Sequence, residues 1–209
     1  VYNQPVKKPT AQASRRLYRQ DEESMSMPRS FDRILITEDA IQERVQVLAQ
    51  QISEDYQGKE ANLDIVLIGV LKGCFMFLAD ISRRLTVAHQ VDFVALSSYG
   101  AAGSKSGAVR FLMDTRVDLA ERHVIIVEDI LDTGYTLDYL VRIFKARQPA
   151  SLKTCVLLRK PDRQQVELEI DYLGFDIPNV WVVGYGLDYA DRFRTMPYIA
   201  ALKPEVYEG

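Results

Sequence analysis

The chain has 209 residues, 47% of them hydrophobic and 26% charged, which suits one globular core with a small appended subdomain. Its net charge of −3 supplies no basic field for a nucleic-acid backbone, so phosphate would have to be met locally by directed groups, and nucleic acid is not an expected partner. No apolar stretch approaches the ~20 residues of a membrane helix, since even Ile65 to Leu71 is stopped by Lys72 and Gly73, and no membrane association is expected.

Residues 1–24 carry Lys7, Lys8, Arg15, Arg16 and Arg19 with no acid before Asp21 and no hydrophobic period. They read as a disordered leader or tag. A basic, acid-poor segment is also the composition of organelle targeting, and Met25 or Met27 could serve as a start. Residues 25–209 read as a single domain. Thr37 is placed to cap a helix with Ile41, Val45, Leu48 and Ile52 on one face, closed by Gly58.

An apolar run at 64–71, a helix near 74–85 with Phe77, Ile81 and Leu85 on one side, and a strand at 91–98 follow. Val124 to Val127 is a short β-branched run before a helix with Leu137, Leu140, Val141 and Phe144, and Leu152 to Leu158 is the next strand. Buried strands alternating with helices imply a parallel α/β core, whose ligands bind at the carboxyl ends of the strands. The residues just past 71, 127 and 158 therefore carry the search for function. Cys74 and Cys155, each in an apolar run, suit buried thiols in a reducing compartment, and a cytoplasmic location is expected.

Past Val127 stands Glu128-Asp129-Ile130-Leu131-Asp132-Thr133-Gly134-Tyr135-Thr136, three carboxylates and then a small hydroxyl-bearing turn that opens a helix. Backbone N–H groups at a helix start, with two threonine hydroxyls and a glycine, make a cradle for one phosphate. Glu128 and Asp129 could accept hydrogen bonds from a vicinal diol, so the whole string describes a site for a ribose 5-phosphate. Acids before a helix also serve simply as caps and dipole partners, and the spacing alone leaves both readings open. The absence of G-x-x-x-x-G-K-[ST] argues against a P-loop.

That string resembles the phosphoribosyl pyrophosphate signature of the type I phosphoribosyltransferases. Over about residues 31–207 the chain is similar to the hypoxanthine-guanine phosphoribosyltransferases, of bacterial type. Leu71-Lys72-Gly73 resembles the family's pyrophosphate loop, in which the Leu–Lys peptide can be cis. Ser98-Tyr99 and the stretch through Gly107 resemble its mobile lid. Lys160, the segment Val180 to Tyr189, and Arg194 resemble its base-binding and metal-binding elements. Cys74 and Tyr135 depart from residues common in relatives, Tyr135 within the 5-phosphate region.

The resemblance implies a type I phosphoribosyltransferase fold, a central parallel sheet flanked by helices under a hood built mainly from 160–209 and part of the N-terminal region. It implies transfer of the phosphoribosyl group to hypoxanthine or guanine with magnesium, giving IMP or GMP and pyrophosphate, by a homodimer or homotetramer. Asp132, four residues past Glu128 and one before the phosphate turn, is placed to face the purine and is expected to be the general acid/base, with a helix N-cap as the alternative. By the same carry-over phosphoribosyl pyrophosphate is met by Glu128, Asp129, Thr133, Gly134, Tyr135, Thr136, Leu71, Lys72, Gly73, Ser98, Tyr99 and Arg194. The purine is met by Lys160, Trp181, Val182, Leu187 and Asp188, and the metal by Glu128, Asp129 and Asp188.

Each assignment has a plain structural alternative: a solvated Lys72, a core Trp181, a surface Asp188 or Arg194, a flexible connector at 100–107. His89 and His123, at element boundaries, read as structural. Two rival functions fit less well. A regulator that keeps the motif without turnover needs a DNA-binding segment, and a phosphate-switch receiver needs an acidic pair after the first strand, where Lys72-Gly73 stands instead.

Overall fold

The structure, a computed structural model, describes residues 29–57, 65–99 and 108–207. The leader expected over 1–24, the helix stop at Gly58 and the lid tip at 100–107 lie outside these residues, and for Ser98, Tyr99, Ala108 and Val109 only the backbone is described.

The chain runs β1 (Phe31–Ile36), α1 (Glu38–Tyr56), β2 (Ile65–Leu71), α2 (Phe75–Arg84), β3 (Gln90–Tyr99), β4 (Ala108–Met113) and β5 (His123–Leu131). It continues with α3 (Tyr135–Lys145), β6 (Ser151–Arg159), a 3-10 turn (Pro161–Arg163), β7 (Tyr172–Asp176), β8 (Val182–Val183), β9 (Ile199–Leu202) and α4 (Pro204–Tyr207). Thr37 caps α1 as its sequence predicts: its hydroxyl accepts from the Ala40 N–H, Glu38 and Asp39 fill the positive first turn, and Ile41, Val45, Leu48 and Ile52 are buried.

A six-stranded sheet in the order β4-β3-β2-β5-β6-β7 forms the core. β2, β3, β5, β6 and β7 are parallel neighbours, and only the edge strand β4 runs antiparallel, against β3. α1 and α2 pack with Ile65, Leu67, Ile125 and Val127, while α3 buries Leu137, Leu140 and Phe144 with Val66, Ile68, Val124 and Ile126. Coverage on both faces explains why β2 and β5 read as unbroken apolar runs rather than alternating ones. From β2 the chain crosses to β3, whereas from β5 it crosses to β6, so the winding direction reverses between β2 and β5. An open parallel sheet binds ligands in the crevice such a reversal leaves, and the crevice here lies between Leu71 and Leu131.

A second sheet, β1-β9-β8, is antiparallel and has its own small core of Phe31, Val183, Tyr198, Ala200 and Leu202. Residues 172–176 fall within the C-terminal stretch assigned to the hood, yet as β7 they complete the large sheet. Strand β5 is longer than its β-branched run predicts. It pairs with β6 through Glu128, Ile130 and Leu131, so Glu128 and Asp129 lie inside the strand rather than beyond it. Cys74 and Cys155 are buried free thiols. His89 bonds Ser82 and the Val87 carbonyl, and His123 bonds Ser151, so both are structural.

Candidate active site

The carboxyl ends of β2 and β5 meet residues 181–194 around a cavity of about 310 Å³. Lys72, Gly73, Asp129, Asp132, Lys160, Trp181, Val182, Leu187, Asp188 and Arg194 all line it. A smaller cavity of about 90 Å³ adjoins, lined by Glu128, Asp132, Thr133, Gly134 and Thr136. Ile130 and Asp132 border both, so the two spaces share a wall.

Burial governs the acids of the strand. Glu128 and Asp129 are buried against each other and hydrogen-bonded, and among the described residues Glu128 Oε2 has no hydrogen-bond partner. Desolvation, then the neighbouring Asp129 charge, pushes the Glu128 carboxyl well above the usual range. Desolvation likewise pushes Asp129 up to about 6, against backbone N–H groups that favour its charged form.

Gly73 is required here. A Cβ on it would sit 1.7 Å from Asp129 Oδ2, and a Cβ on Gly186 would sit 1.9 Å from the Gly73 carbonyl oxygen. The peptide between Leu71 and Lys72 is cis.

Thr133 and Gly134 form the turn before α3, with Gly134 at φ 92°. This turn bears on one of the open alternatives: the N-cap position is Gly134 and no side chain bonds there, so Asp132 is not a cap. Asp132 instead accepts from Arg163 Nε at 2.9 Å and, more loosely, from Lys160 Nζ at 3.4 Å. Sequence reasoning missed Arg163. The signal is Pro161, which starts a 3-10 turn, and residues i and i+3 of such a turn eclipse, bringing Lys160 and Arg163 to one side. Tyr135 is exposed and donates to Gln165 Oε1, while the Gln165 N–H reaches the Thr133 carbonyl and so braces the turn from outside.

The loop 184–194 is held by its own polar groups. Gly184, Tyr185 and Gly186 are all in the left-handed region, which glycine enters without strain. Tyr185 is fully buried, and its hydroxyl donates to Asp80 Oδ2 on α2 at 2.6 Å; Gln42, Arg83 and Arg84 also meet that carboxylate. Arg194 donates to the Gly186 carbonyl and pairs with Asp188 at 2.7 Å and Asp191 at 3.0 Å. Asp188 Oδ2 also accepts the Asp191 N–H. Lys72 crosses from the core loop to Asp191 Oδ1 at 3.0 Å. Arg194 and Lys72 together hold the Asp191 carboxyl below the usual range.

Trp181 stands just before β8 rather than in a strand, and at 45% exposure it is not a core residue. Its indole meets Tyr189 edge-on at 5.6 Å and lines the cavity. The sequence-derived set is thus gathered at one place, except that Leu71 and Tyr135 line neither cavity and the Ser98 and Tyr99 side chains are not described.

Residues 34–190 match the phosphoribosyl transferase domain family. The chain belongs to that family. Hypoxanthine-guanine phosphoribosyltransferases of Mycobacterium bovis and Mycobacterium tuberculosis are each 47% identical over 183 residues, 87% of this chain and 91% of theirs. The Dictyostelium discoideum hypoxanthine-guanine phosphoribosyltransferase is 43% identical over 178 residues, covering 84% of this chain and 97% of its own. The Trypanosoma cruzi hypoxanthine phosphoribosyltransferase in complex with IMP superposes with a TM-score of 0.81 at 45% identity, over 87% of this chain and 99% of that one. Another T. cruzi structure, concerned with the role of the C-terminal region in oligomeric state and activity, gives a TM-score of 0.82. Among phosphoribosyltransferases, then, this chain shares sequence and fold with those for 6-oxopurines.

Proposed function

We propose that the protein transfers the phosphoribosyl group of phosphoribosyl pyrophosphate to hypoxanthine or guanine, giving IMP or GMP and pyrophosphate, in purine salvage. One observation supports this most: Asp132 borders both cavities, with Lys160 and Trp181 on one side and the Thr133–Thr136 turn on the other. A base in the larger space and a 5-phosphate in the smaller would put the ribose across Asp132, Glu128 and Asp129.

In this reading the turn meets the phosphate with backbone N–H groups and threonine hydroxyls. The acid pair accepts from the ribose diol. An imidazole nitrogen of the purine bonds to the anomeric carbon as the carbon–oxygen bond to pyrophosphate breaks, and Asp132 accepts the proton that the ring sheds. Lys160, whose bond to Asp132 is long, turns to the 6-oxo group, and Trp181 covers the ring face. Lys72 and Arg194 receive the negative charge that leaves with pyrophosphate.

The residues also fit magnesium. All donors are hard oxygens, and among the described residues Glu128 Oε2 is a buried oxygen without a hydrogen-bond partner. Hard oxygen donors suit an ion that keeps water and takes phosphate oxygens from its substrate. Asp129 and Asp188, which line the larger cavity, would hold it, Asp188 with only the lone pairs that Arg194 and the Asp191 N–H leave open; Glu128 lines the smaller cavity, and among the described residues it does not join them in a three-carboxylate cluster. When bound, the ion would neutralise charge on the pyrophosphate. A homodimer or homotetramer in the cytoplasm completes the proposal, the buried free thiols supporting a reducing compartment.

The test is a steady-state assay of hypoxanthine, guanine, xanthine and adenine with phosphoribosyl pyrophosphate and magnesium. Adenine should be rejected by on the order of 10⁴-fold, because its 6-amino group opposes a donor lysine with another donor. Comparable turnover of adenine would overturn the base assignment.

A further inference from the structure

Asp191 has no place in the chemistry just described, yet it touches both cations that the reading gives to pyrophosphate. A single oxygen, Asp191 Oδ1, accepts from Lys72 Nζ at 3.0 Å and from Arg194 Nη2 at 3.0 Å. Lys72 comes from the loop after β2 and Arg194 from the loop before β9, so one carboxylate oxygen spans the cleft between them. An anionic oxygen shared by an ammonium and a guanidinium is also the contact a phosphoryl oxygen would make.

The pair is not structural support. The side chains of Lys72 and Asp191 are 67% and 68% exposed, and exposed pairs contribute little to folding. Arg194 stays placed without Asp191, through the Gly186 carbonyl and Asp188. The Asp191 backbone is fixed separately, by its N–H to Asp188, so the side chain can swing away while the turn stays put.

We propose that Asp191 is a placeholder for pyrophosphate: it engages the two cations, must be displaced when phosphoribosyl pyrophosphate or pyrophosphate arrives, and recaptures them as pyrophosphate leaves. This rests on the proposed role of Lys72 and Arg194. Such a competitor weakens ground-state binding and speeds release, so its loss should tighten binding, the reverse of what removing a ligand-holding acid would do.

Asp191→Asn keeps the shape and removes the charge. With magnesium and at fixed ionic strength, calorimetry should show phosphoribosyl pyrophosphate and pyrophosphate binding about three- to tenfold tighter, the scale of two exposed ion pairs released. GMP, which places no group on these cations, should bind as before, the melting temperature should stay put, and Asp191→Glu should return affinity toward wild type. Unchanged or weaker pyrophosphate binding in a folded Asp191→Asn protein would overturn the placeholder. Lys72→Met separates the two readings. If it weakens pyrophosphate binding while Asp191→Asn does not tighten it, the placeholder alone is wrong; if it has no effect, the role of the cations is wrong as well.

Discussion

Glu128 and Asp129 lie inside the large sheet, buried and bonded to each other, whereas Asp188 and Asp191 lie on the hood loop against Arg194 and Lys72. Burial raises the proton affinity of the first two; cations lower that of Asp191. The difference teaches where charge is missing before substrate binds. For the strand pair the charge of Arg194, felt at Asp129, does not offset burial, and a cation or the donors of a diol would complete it. The loop has satisfied its charges internally and must exchange partners to accept an anion.

Asp132 tests that division hardest, because it sits at the end of the core strand and is ion-paired like the loop acids. Asp132→Asn should lower turnover about 10²–10⁴-fold with little change in phosphoribosyl pyrophosphate affinity, the usual effect of losing a positioned base. Since Asp132 caps nothing, any fall in melting temperature would report the loss of its pairs with Arg163 and the buried Lys160 rather than of a helix cap. Near-wild-type turnover in the folded variant would defeat the assignment.

Gly73→Ala probes how closely the two regions depend on each other. The added methyl would collide with Asp129 at 1.7 Å and must displace either the acid pair or the loop bearing Lys72. Turnover should fall about 10²-fold, as expected when reacting groups shift by about an ångström. A variant with wild-type kinetics would show that the acids are not held by this contact.

Glu128→Gln sharpens the contrast between burial and pairing. An acid whose folded pKa is raised binds protons more tightly in the folded state, so its stabilising contribution is present at low pH and is lost as pH rises from the unfolded value toward the folded one. For Asp129 that window runs from 3.8 to about 6. Thermal stability should therefore decline across this range in the wild type. At pH 7.5, Glu128→Gln, which removes the like charge, should melt higher by about 2–4 °C, equivalent to ~1 kcal/mol, while losing activity. Binding of phosphoribosyl pyrophosphate with magnesium should weaken below pH 6 in the wild type, as the pair takes up protons. A melting temperature that rises with pH over the window would contradict the burial argument.

Legibility in the sequence followed the physics of each element. The parallel core announced itself through β-branched runs covered on both faces and helices with 3.6-residue periodicity. The missed strands lack those signals: β1 buries only its two ends fully, β7 carries Gly174 because a Cβ there would sit 2.2 Å from the Leu157 carbonyl oxygen, and β9 contains Ala200 and Ala201. The site residues were legible as a string near 128–136, where catalysis and fold use neighbouring positions. Arg163 was not, since only the turn at Pro161 brings it back to Asp132. The Tyr185–Asp80 bond joins residues 105 apart in sequence and leaves no local trace.

The stacked glycines carry one more consequence. At Gly73 and Gly186 the core and the hood touch backbone to backbone, and on the other side of Gly73 lies Asp129 with equally little room. A joint without side chains has nothing to trim, so a side chain placed at either glycine must move whole segments: the Lys72 loop, the 184–194 loop or the strand that carries Asp129.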